Sequence, residues 1–165
     1  MPRFAELNAG ASFTMVWGYT WDWTINLEIP AIGRDRVTRR YPIRSVHEAG
    51  AVVLGGSDWN YGDLDPLLSI ETGITRDDPF GPSSPGDFEV FGDERVDLAT
   101  MIDAYTINGA WQLHAEDTSG SIEVGKRADV VIFDRNLFEI ATSEISEAKV
   151  DLTLFDGIIV YRRPD

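Results

Sequence analysis

The carboxylate of Asp58 is the side chain in this sequence whose position is most typical of an active site. Residues 51–54 (AVVL) form an apolar, β-branched run with the length of a strand buried on both faces. Gly55 and Gly56 then allow the backbone to turn, so Asp58 follows the carboxyl end of the predicted strand. Ligands and reacting groups collect at that end in α/β folds. A carboxylate there needs a partner, such as a metal ion, a basic side chain or a water to be deprotonated.

A metal at this position would need ligands other than sulfur. The chain has no cysteine, which excludes disulfides and thiolate sites, and only 2 histidines. His47 falls in the predicted helix before the strand and His114 at the end of the helix after it. Neither has a second histidine at helical spacing, so we expect structural or surface roles for both. A catalytic zinc takes about three protein ligands and a water, so Asp58 alone cannot hold one.

Three other stretches of the sequence do not match the catalytic or ligand-binding motifs that they partly resemble. Ser57 lies in Gly-Gly-Ser-Asp-Trp, which is not the Gly-x-Ser-x-Gly elbow of a serine nucleophile. No Lys-Ser/Thr pair follows the glycines, as a phosphate-binding loop requires. The acidic residues at 63–65 and 77–78 lack the alternating oxygen ligands of a calcium loop, so we expect a solvated face there.

The elements predicted around Asp58 form the repeating unit of a parallel sheet. In chain order they are a strand at 11–17, a loop at 18–33, a helix at 34–49 interrupted at Tyr41 and Pro42, and the strand at 51–54. A strand, a helical crossover and a second strand make a βαβ unit. After Asp58 we expect a further loop that includes a Pro-, Gly- and Ser-rich insertion at 77–92. An insertion of this length at a strand end is a lid or a contact surface.

The pattern changes in the second half of the chain. Asp97 is a plausible N-cap for a helix predicted over residues 98–113. Beyond residue 117 the sequence is typical of antiparallel strands, with alternation at 120–125 and an apolar strand at 129–133. Asp156 and Gly157 lie between two apolar runs, which predicts a tight hairpin.

Composition excludes several partners. The 165 residues include 28 acidic and 14 basic ones, giving a net charge of −14, which repels nucleic acids and anionic membranes. No apolar run approaches the roughly 20 residues of a membrane span. The N-terminus lacks the pattern of a signal peptide, so we expect a cytoplasmic protein. The length is short for a complete eight-fold β/α barrel, which needs about 250 residues.

Several strings together resemble the C-terminal part of the metal-dependent amidohydrolase superfamily. They are GSDW (56–59), YTINGA (105–110), GSIEVGKRADVVIFD (120–134) and FDGIIVYRR (155–163). The branch they are most similar to is often called amidohydrolase family 3, which includes formamide deformylases and D-aminoacylases. The resemblance begins at RFAEL (3–7) and covers nearly the whole chain.

The resemblance implies an α/β fold that is one segment of a (β/α) TIM-type barrel. Residues 11–17 and 51–54 would be barrel strands seven and eight, and residues 98–113 the last barrel helix. The C-terminal strands would belong to a small β-sandwich. We therefore expect a barrel part at 1–117 and a sandwich part at 118–165.

The resemblance also implies an activity, namely hydrolysis of a non-peptide carbon–nitrogen bond in a small amide, formamide or N-acyl substrate. Asp58 matches the catalytic acid–base of the family, which is often a metal ligand as well. A divalent metal, zinc above all, would serve the complete enzyme. Trp21, Trp23 and Trp59 hint at an apolar or aromatic wall for the substrate.

Two departures from the family bear on what this chain does by itself. The family's His-x-His pair and its bridging lysine are absent, and Asn60 stands where proline is common. One hypothesis is therefore that the chain is the C-terminal piece of such a hydrolase. The other is a non-catalytic structural fragment, without metal, whose exposed strands pair with a second copy or a complementary chain. A small complete α/β binding domain is the third possibility.

Overall fold

Two short sheets organise the protein, whose computed structural model describes residues 3–81 and 93–164. Most of the insertion predicted at 77–92 lies outside the described residues. Helices accompany both sheets and belong to the α, 3-10 and π classes. In chain order the elements up to the site are α1 (Arg3–Glu6), β1 (Gly10–Phe13), a 3-10 helix (Met15–Trp17), a π-helix (Thr24–Glu28), α2 (Ile29–Ile32), α3 (Arg34–Val37), α4 (Ile43–Glu48) and β2 (Val52–Gly55). Beyond the site follow α5 (Pro66–Thr75), α6 (Leu98–Tyr105), α7 (Ile107–Gln112), β3 (Val130–Phe133), a 3-10 helix (Thr142–Glu147), β4 (Val150–Phe155) and β5 (Ile158–Arg162).

Strands β1 and β2 pair in parallel, which confirms the predicted βαβ unit. Their register runs from Gly10 opposite Val52 to Phe13 opposite Gly55. The helical crossover between them breaks around Tyr41 as predicted, because Tyr41 adopts a positive φ of 50° that no helix contains.

The strand predicted at 11–17 is wrong in its second half. β1 ends at Phe13, and a 3-10 helix buries Met15 and Val16. The Val16 N–H donates to the Ser69 hydroxyl at 3.1 Å, so it is satisfied by a side chain rather than by a neighbouring strand. The apolar run there belongs to the core without extending the sheet.

The loop predicted at 18–33 is also wrong, since it contains the π-helix and α2. Thr24 begins the π-helix and is fully buried. Pro30 lies in the first turn of α2, where the absence of an N–H costs no helical hydrogen bond. Helix can therefore form in a stretch whose proline suggested a loop.

Helix α5 lies in a region predicted as loop. Its N-terminus is capped by Asp65, whose carboxylate accepts from the Leu67 N–H at 2.9 Å, and Pro66 occupies the first turn. These are standard N-terminal signals. The helix then buries Leu67 and Ile70 against the core.

The helix predicted over residues 98–113 is interrupted. The predicted cap is confirmed, because the Asp97 carboxylate accepts from the Thr100 N–H at 2.7 Å. Thr106 then adopts φ −129° and ψ −97° and separates α6 from α7. The break lets the Asn108 side chain reach the Val53 carbonyl oxygen at 2.9 Å.

The C-terminal sheet is antiparallel, in the order β3–β4–β5. Asp156 and Gly157 form the turn between β4 and β5 with φ of 50° and 76°, which confirms the predicted hairpin. The alternating segment at 120–125 is not a strand but a series of bends and turns.

Helix α5 connects the two sheets. One buried cluster contains Met15 and Val53 from the parallel side together with Ile145 and Ala148 from the C-terminal side. In addition, the Ser146 N–H donates to the buried Glu71 carboxylate at 2.7 Å. The division into 1–117 and 118–165 stays a prediction. Within residues 3–81 and 93–164, every helix is too short or too polar to cross a bilayer.

Lowering the pH should weaken the C-terminal sheet through Asp134. The Arg135 guanidinium and the Lys149 N–H, which both donate to this carboxylate, lower the pKa of Asp134 from 3.8 to about 2. A carboxyl group whose pKa is lower in the folded than in the unfolded state stabilises the folded protein at pH values above the pKa of the unfolded state. This stabilisation is lost as the pH falls towards about 2.

The measurement is urea unfolding of the wild type and of Asp134→Asn from about pH 5 to about pH 2.5. The variant should lose less stability over this range than the wild type. Asp117→Asn, at an exposed position in the turn after α7, is the control and should keep the wild-type slope. Equal slopes for Asp134→Asn and the wild type would contradict the assignment.

Candidate active site

The backbone around Asp58 fixes where its side chain leaves the parallel sheet. The Gly56 N–H donates to the Phe13 carbonyl oxygen at 3.1 Å, which extends the β1–β2 pairing by one bond. Asp58 itself has φ 56°, and its carbonyl oxygen accepts from the N–H groups of Tyr61 and Gly62, each at 2.8 Å. A side chain at Gly62 would collide with the Ser57 carbonyl oxygen. The turn is therefore closed tightly immediately beyond the strand.

The Asp58 carboxylate is exposed at the end of this turn. Among the described residues, none forms a hydrogen bond or ion pair with it. Its neighbours Asp63 and Asp65 use their carboxylates differently, since each accepts from a backbone N–H two residues later. Asp58 is thus the acidic group of this loop that remains available to a bound molecule.

Two side chains from α6 and α7 anchor β2 beneath Asp58. The Tyr105 hydroxyl donates to the Gly56 carbonyl oxygen at 3.1 Å, and Asn108 donates to Val53 two residues inside the strand. The Tyr105 ring lies over Gly55, where an added Cβ would come within 2.6 Å of the ring. Burial, the larger effect, raises the pKa of Tyr105, so the hydroxyl stays protonated as a donor.

Ser69 on α5 joins the ends of both strands. Its hydroxyl oxygen accepts from the Val16 N–H, which follows β1, and its side chain lies beside the Tyr105 hydroxyl, which holds the end of β2. Neither Ser69 nor Tyr105 was predicted from the sequence as a residue of the site. The string YTINGA contains Tyr105 and Asn108 and was the available signal for the second anchor.

The described residues do not fit a metal centre by themselves. No three His, Asp or Glu side chains in residues 3–81 and 93–164 lie close enough to share an ion. His47 and His114 are both exposed, in accord with the surface roles expected for them. Asp58 therefore has no companion ligand within the described part of the chain.

The structure brings together two of the three predicted substrate-wall tryptophans. The Trp21 and Trp23 rings stack with centroids 6.1 Å apart and an interplanar angle of 16°. Trp59 is 66% exposed, and the ring contacts among the described residues do not include it. Its role in a substrate wall stays a prediction.

Comparison with known proteins gives a family match over almost the whole sequence. A model described as "Amidohydrolase family" matches residues 1–161. The chain is 34% identical over 123 residues to an N-substituted formamide deformylase from Arthrobacter pascens, and the match covers 74% of this chain and 22% of that protein. The chain spans only about a fifth to a quarter of the length of three curated relatives that it matches.

Solved structures share the fold. An uncharacterized metal-dependent hydrolase from Pyrococcus horikoshii has a TM-score of 0.68 at 22% identity, covering 85% of this chain and 27% of that one. An adenosine deaminase from Xanthomonas campestris with bound zinc has a TM-score of 0.55 at 26% identity, covering 72% of this chain and 27% of that one. The mixed α/β arrangement of this chain is thus shared with known hydrolases.

Replacing Gly55 by alanine should destabilise the anchor beneath Asp58. The new Cβ would overlap the Tyr105 ring, and overpacking of this kind costs about 1–3 kcal/mol of unfolding free energy. The matched control is Gly56→Ala, whose Cβ would make ordinary van der Waals contact with the Ser12 and Thr14 hydroxyls at 3.5 and 3.9 Å and should change stability by less than about 1 kcal/mol.

Urea unfolding of the two variants measures this difference. Equal stabilities of Gly55→Ala and Gly56→Ala would show that Tyr105 does not pack on the strand as the structure has it. Tyr105→Phe, which keeps the ring and removes the hydroxyl, should cost about 1 kcal/mol through the lost bond to Gly56.

Proposed function

This chain belongs to the amidohydrolase family, and we propose that it supplies the catalytic acid–base, Asp58, of a hydrolase that cleaves a non-peptide carbon–nitrogen bond. The observation that carries the proposal is the exposed Asp58 carboxylate, held at the carboxyl end of β2 by a closed turn. The similarity to an N-substituted formamide deformylase supports an amide-type substrate. A cytoplasmic location stays a prediction from the sequence.

The chemistry required of Asp58 is proton transfer. Its carboxylate accepts a proton from the water that attacks the carbonyl carbon, and then gives that proton to the nitrogen as the carbon–nitrogen bond breaks. An exposed group on a rigid turn suits this role, because it must reach both the water and the leaving nitrogen. Tyr105 and Asn108 donate to carbonyl oxygens of the strand beneath it, so their role in this proposal is to position Asp58.

We assign the metal of this reaction to the longer protein. Members of the family are metal-dependent, and a divalent ion, zinc in particular, is the expected cofactor. Catalytic zinc takes about three protein ligands, and Asp58 offers one. The chain alone would then carry an acid–base and part of a fold, with β1 and β2 as barrel strands seven and eight and β3–β5 as a share of a sandwich.

The test is Asp58→Asn in the longest gene product that contains these residues. Removing a general acid–base typically lowers kcat by about 10²- to 10⁴-fold, with little change in KM. Release of amine from N-substituted formamides and N-acyl amino acids measures the effect. Asp63→Asn, which alters an exposed carboxylate of the same loop, should leave kcat unchanged. A wild-type kcat in Asp58→Asn would remove Asp58 from the reaction.

A second candidate function rests on the C-terminal sheet. Strand β5 pairs with β4 on one side, and in the described part of the chain nothing pairs with its other edge. All five of its residues are exposed, including three aliphatic ones and Tyr161. An exposed apolar edge strand promotes pairing with another chain. The 165-residue chain alone would then be a structural unit that associates with a second copy or with a complementary barrel half.

Sedimentation of the chain by itself should show a defined homo-oligomer. Val160→Lys places a charge on β5 and should shift the population towards monomer, because charged edges resist strand pairing. Leu113→Lys, an exposed site after α7, is the control and should leave the oligomer intact. A monomer that binds zinc and turns over an N-acyl substrate would reject the structural-unit hypothesis.

A further inference from the structure

Asn108 combines a structural role with a reactive sequence. Its side-chain amide donates to the Val53 carbonyl oxygen at 2.9 Å, across 55 residues of the chain, and so ties α7 to β2. The residue that follows it is Gly109. A glycine at this position favours loss of ammonia from the asparagine, because no Cβ hinders the approach of the glycine nitrogen to the side chain. Larger residues follow the other asparagines, which are Asn8, Asn26, Asn60 and Asn136.

The start of α7 leaves the Gly109 nitrogen outside the helical hydrogen-bond pattern. α7 begins at Ile107, so Gly109 lies in its first turn, where N–H groups have no acceptor within the helix. Thr106 precedes this turn, but its hydroxyl donates back to the Ile102 carbonyl oxygen at 2.7 Å instead of capping the turn. Among the described residues, no atom lies within 4 Å of an added Cβ at Gly109. The first turn of α7 is therefore weakly held.

Helix α7 also has little stability of its own. It is 6 residues long, and isolated helices shorter than about 12–15 residues are marginal in water. When the first turn opens, the Asn108 amide leaves Val53 and its carbonyl carbon comes within reach of the Gly109 nitrogen. The rate of a reaction that occurs from such an open form follows the population of that form.

We propose that Asn108 is a site of spontaneous deamidation, which converts it to aspartate or isoaspartate and releases the anchor between α7 and β2. The Gly109 nitrogen attacks Cγ of Asn108. A bond forms between that nitrogen and Cγ, the bond from Cγ to Nδ2 breaks, and the Gly109 amide proton leaves with Nδ2 as ammonia. Water then opens the cyclic imide at either of its carbonyl carbons, giving aspartate or isoaspartate. Water is the co-reactant, and no group is oxidised or reduced.

The product cannot form the original anchor. A carboxylate accepts hydrogen bonds but donates none, so at position 108 it would face the Val53 carbonyl oxygen as one acceptor against another. The new charge would also be half-buried in a chain whose net charge is already −14. Isoaspartate adds a carbon atom to the backbone, which disrupts helical hydrogen bonding. Of the two anchors of β2 beneath Asp58, the Tyr105 hydroxyl would remain.

The reaction is measured by ageing the 165-residue chain in heavy-oxygen water at mildly alkaline pH. The chain is then digested in ordinary water, and its peptides are analysed by mass spectrometry, so that only deamidation during ageing carries the label. Label should appear at Asn108 at least about tenfold faster than at Asn136, which precedes leucine. This order is expected although Asn136 is exposed and Asn108 is half-buried. Fragment ions should identify both aspartate and isoaspartate at position 108.

Gly109→Ala tests the attacking nitrogen while keeping the anchor. The added Cβ has room, and alanine favours a helix, so this variant should fold at least as well as the wild type. Because the Cβ hinders attack by the nitrogen, labelling of Asn108 should be about tenfold slower.

Asn108→Asp reproduces one product of the reaction. Its midpoint of urea unfolding should fall below that of the wild type, because the donor to Val53 is lost. Asn136→Asp is the matched control, since the Asn136 side chain accepts from the Phe138 N–H at 3.1 Å, a role that a carboxylate retains. It should keep the wild-type midpoint. If Asn108→Asp does not fold, loss of folded wild type during ageing, and its absence in Gly109→Ala, measures the same effect.

Two results would overturn the inference. Labelling of Asn108 no faster than that of Asn136 would show that Asn108 is not a deamidation site in the folded chain. Equal urea midpoints for Asn108→Asp and the wild type would show that deamidation does not release the anchor. Neither measurement involves an amide substrate, so the inference is tested independently of the proposed function.

Discussion

The candidate site depends on the close approach of α6 to the end of β2. Gly55 has no side chain, and the Tyr105 ring occupies the space that a side chain would fill. Only because the ring lies there can its hydroxyl reach the Gly56 carbonyl oxygen and meet Ser69, which in turn holds the segment after β1. A two-stranded parallel sheet has little stability of its own. Helices α5 and α6 supply the stabilising contacts that further strands would otherwise provide. These contacts also fix the position of the exposed Asp58 carboxylate.

Features with local signals could be predicted from the sequence. The position of Asp58 followed from an apolar run and two glycines, and the hairpin from Asp156 and Gly157, whose preference for positive φ decides the turn. The cap at Asp97 likewise involves partners three residues apart. The family was recognised from short strings around these same positions. In each case the residues that determine the structure are neighbours in the chain, so their types and spacing suffice.

Features determined by distant partners could not be predicted. Beyond the end of β1 at Phe13, the Val16 N–H donates to a serine 53 residues away in the chain, and the hydrogen bond from Tyr105 to Gly56 spans 49 residues. The predicted helix over 98–113 breaks where Asn108 turns towards β2, again a contact outside the helical pattern. The Trp17 and Tyr61 rings, which are distant in the chain, lie with centroids 5.8 Å apart, and their types were evident in the sequence while this contact was not. Helix α5 is the exception among the features that were not predicted, because its N-terminal signals, Asp65 and Pro66, are local in the sequence.

The parallel register of β1 and β2 has a consequence for the order in which the protein is assembled. Gly10 must meet Val52 across a long crossover, and closing such a loop costs entropy that a two-stranded sheet repays poorly. The groups that offset this cost, Ser69, Tyr105 and Asn108, all come later in the chain than Asp58. During synthesis the turn at Asp58 therefore leaves the ribosome before the residues that support it have been made. It acquires its final shape only once α7 has been made, so the site is completed from its C-terminal side.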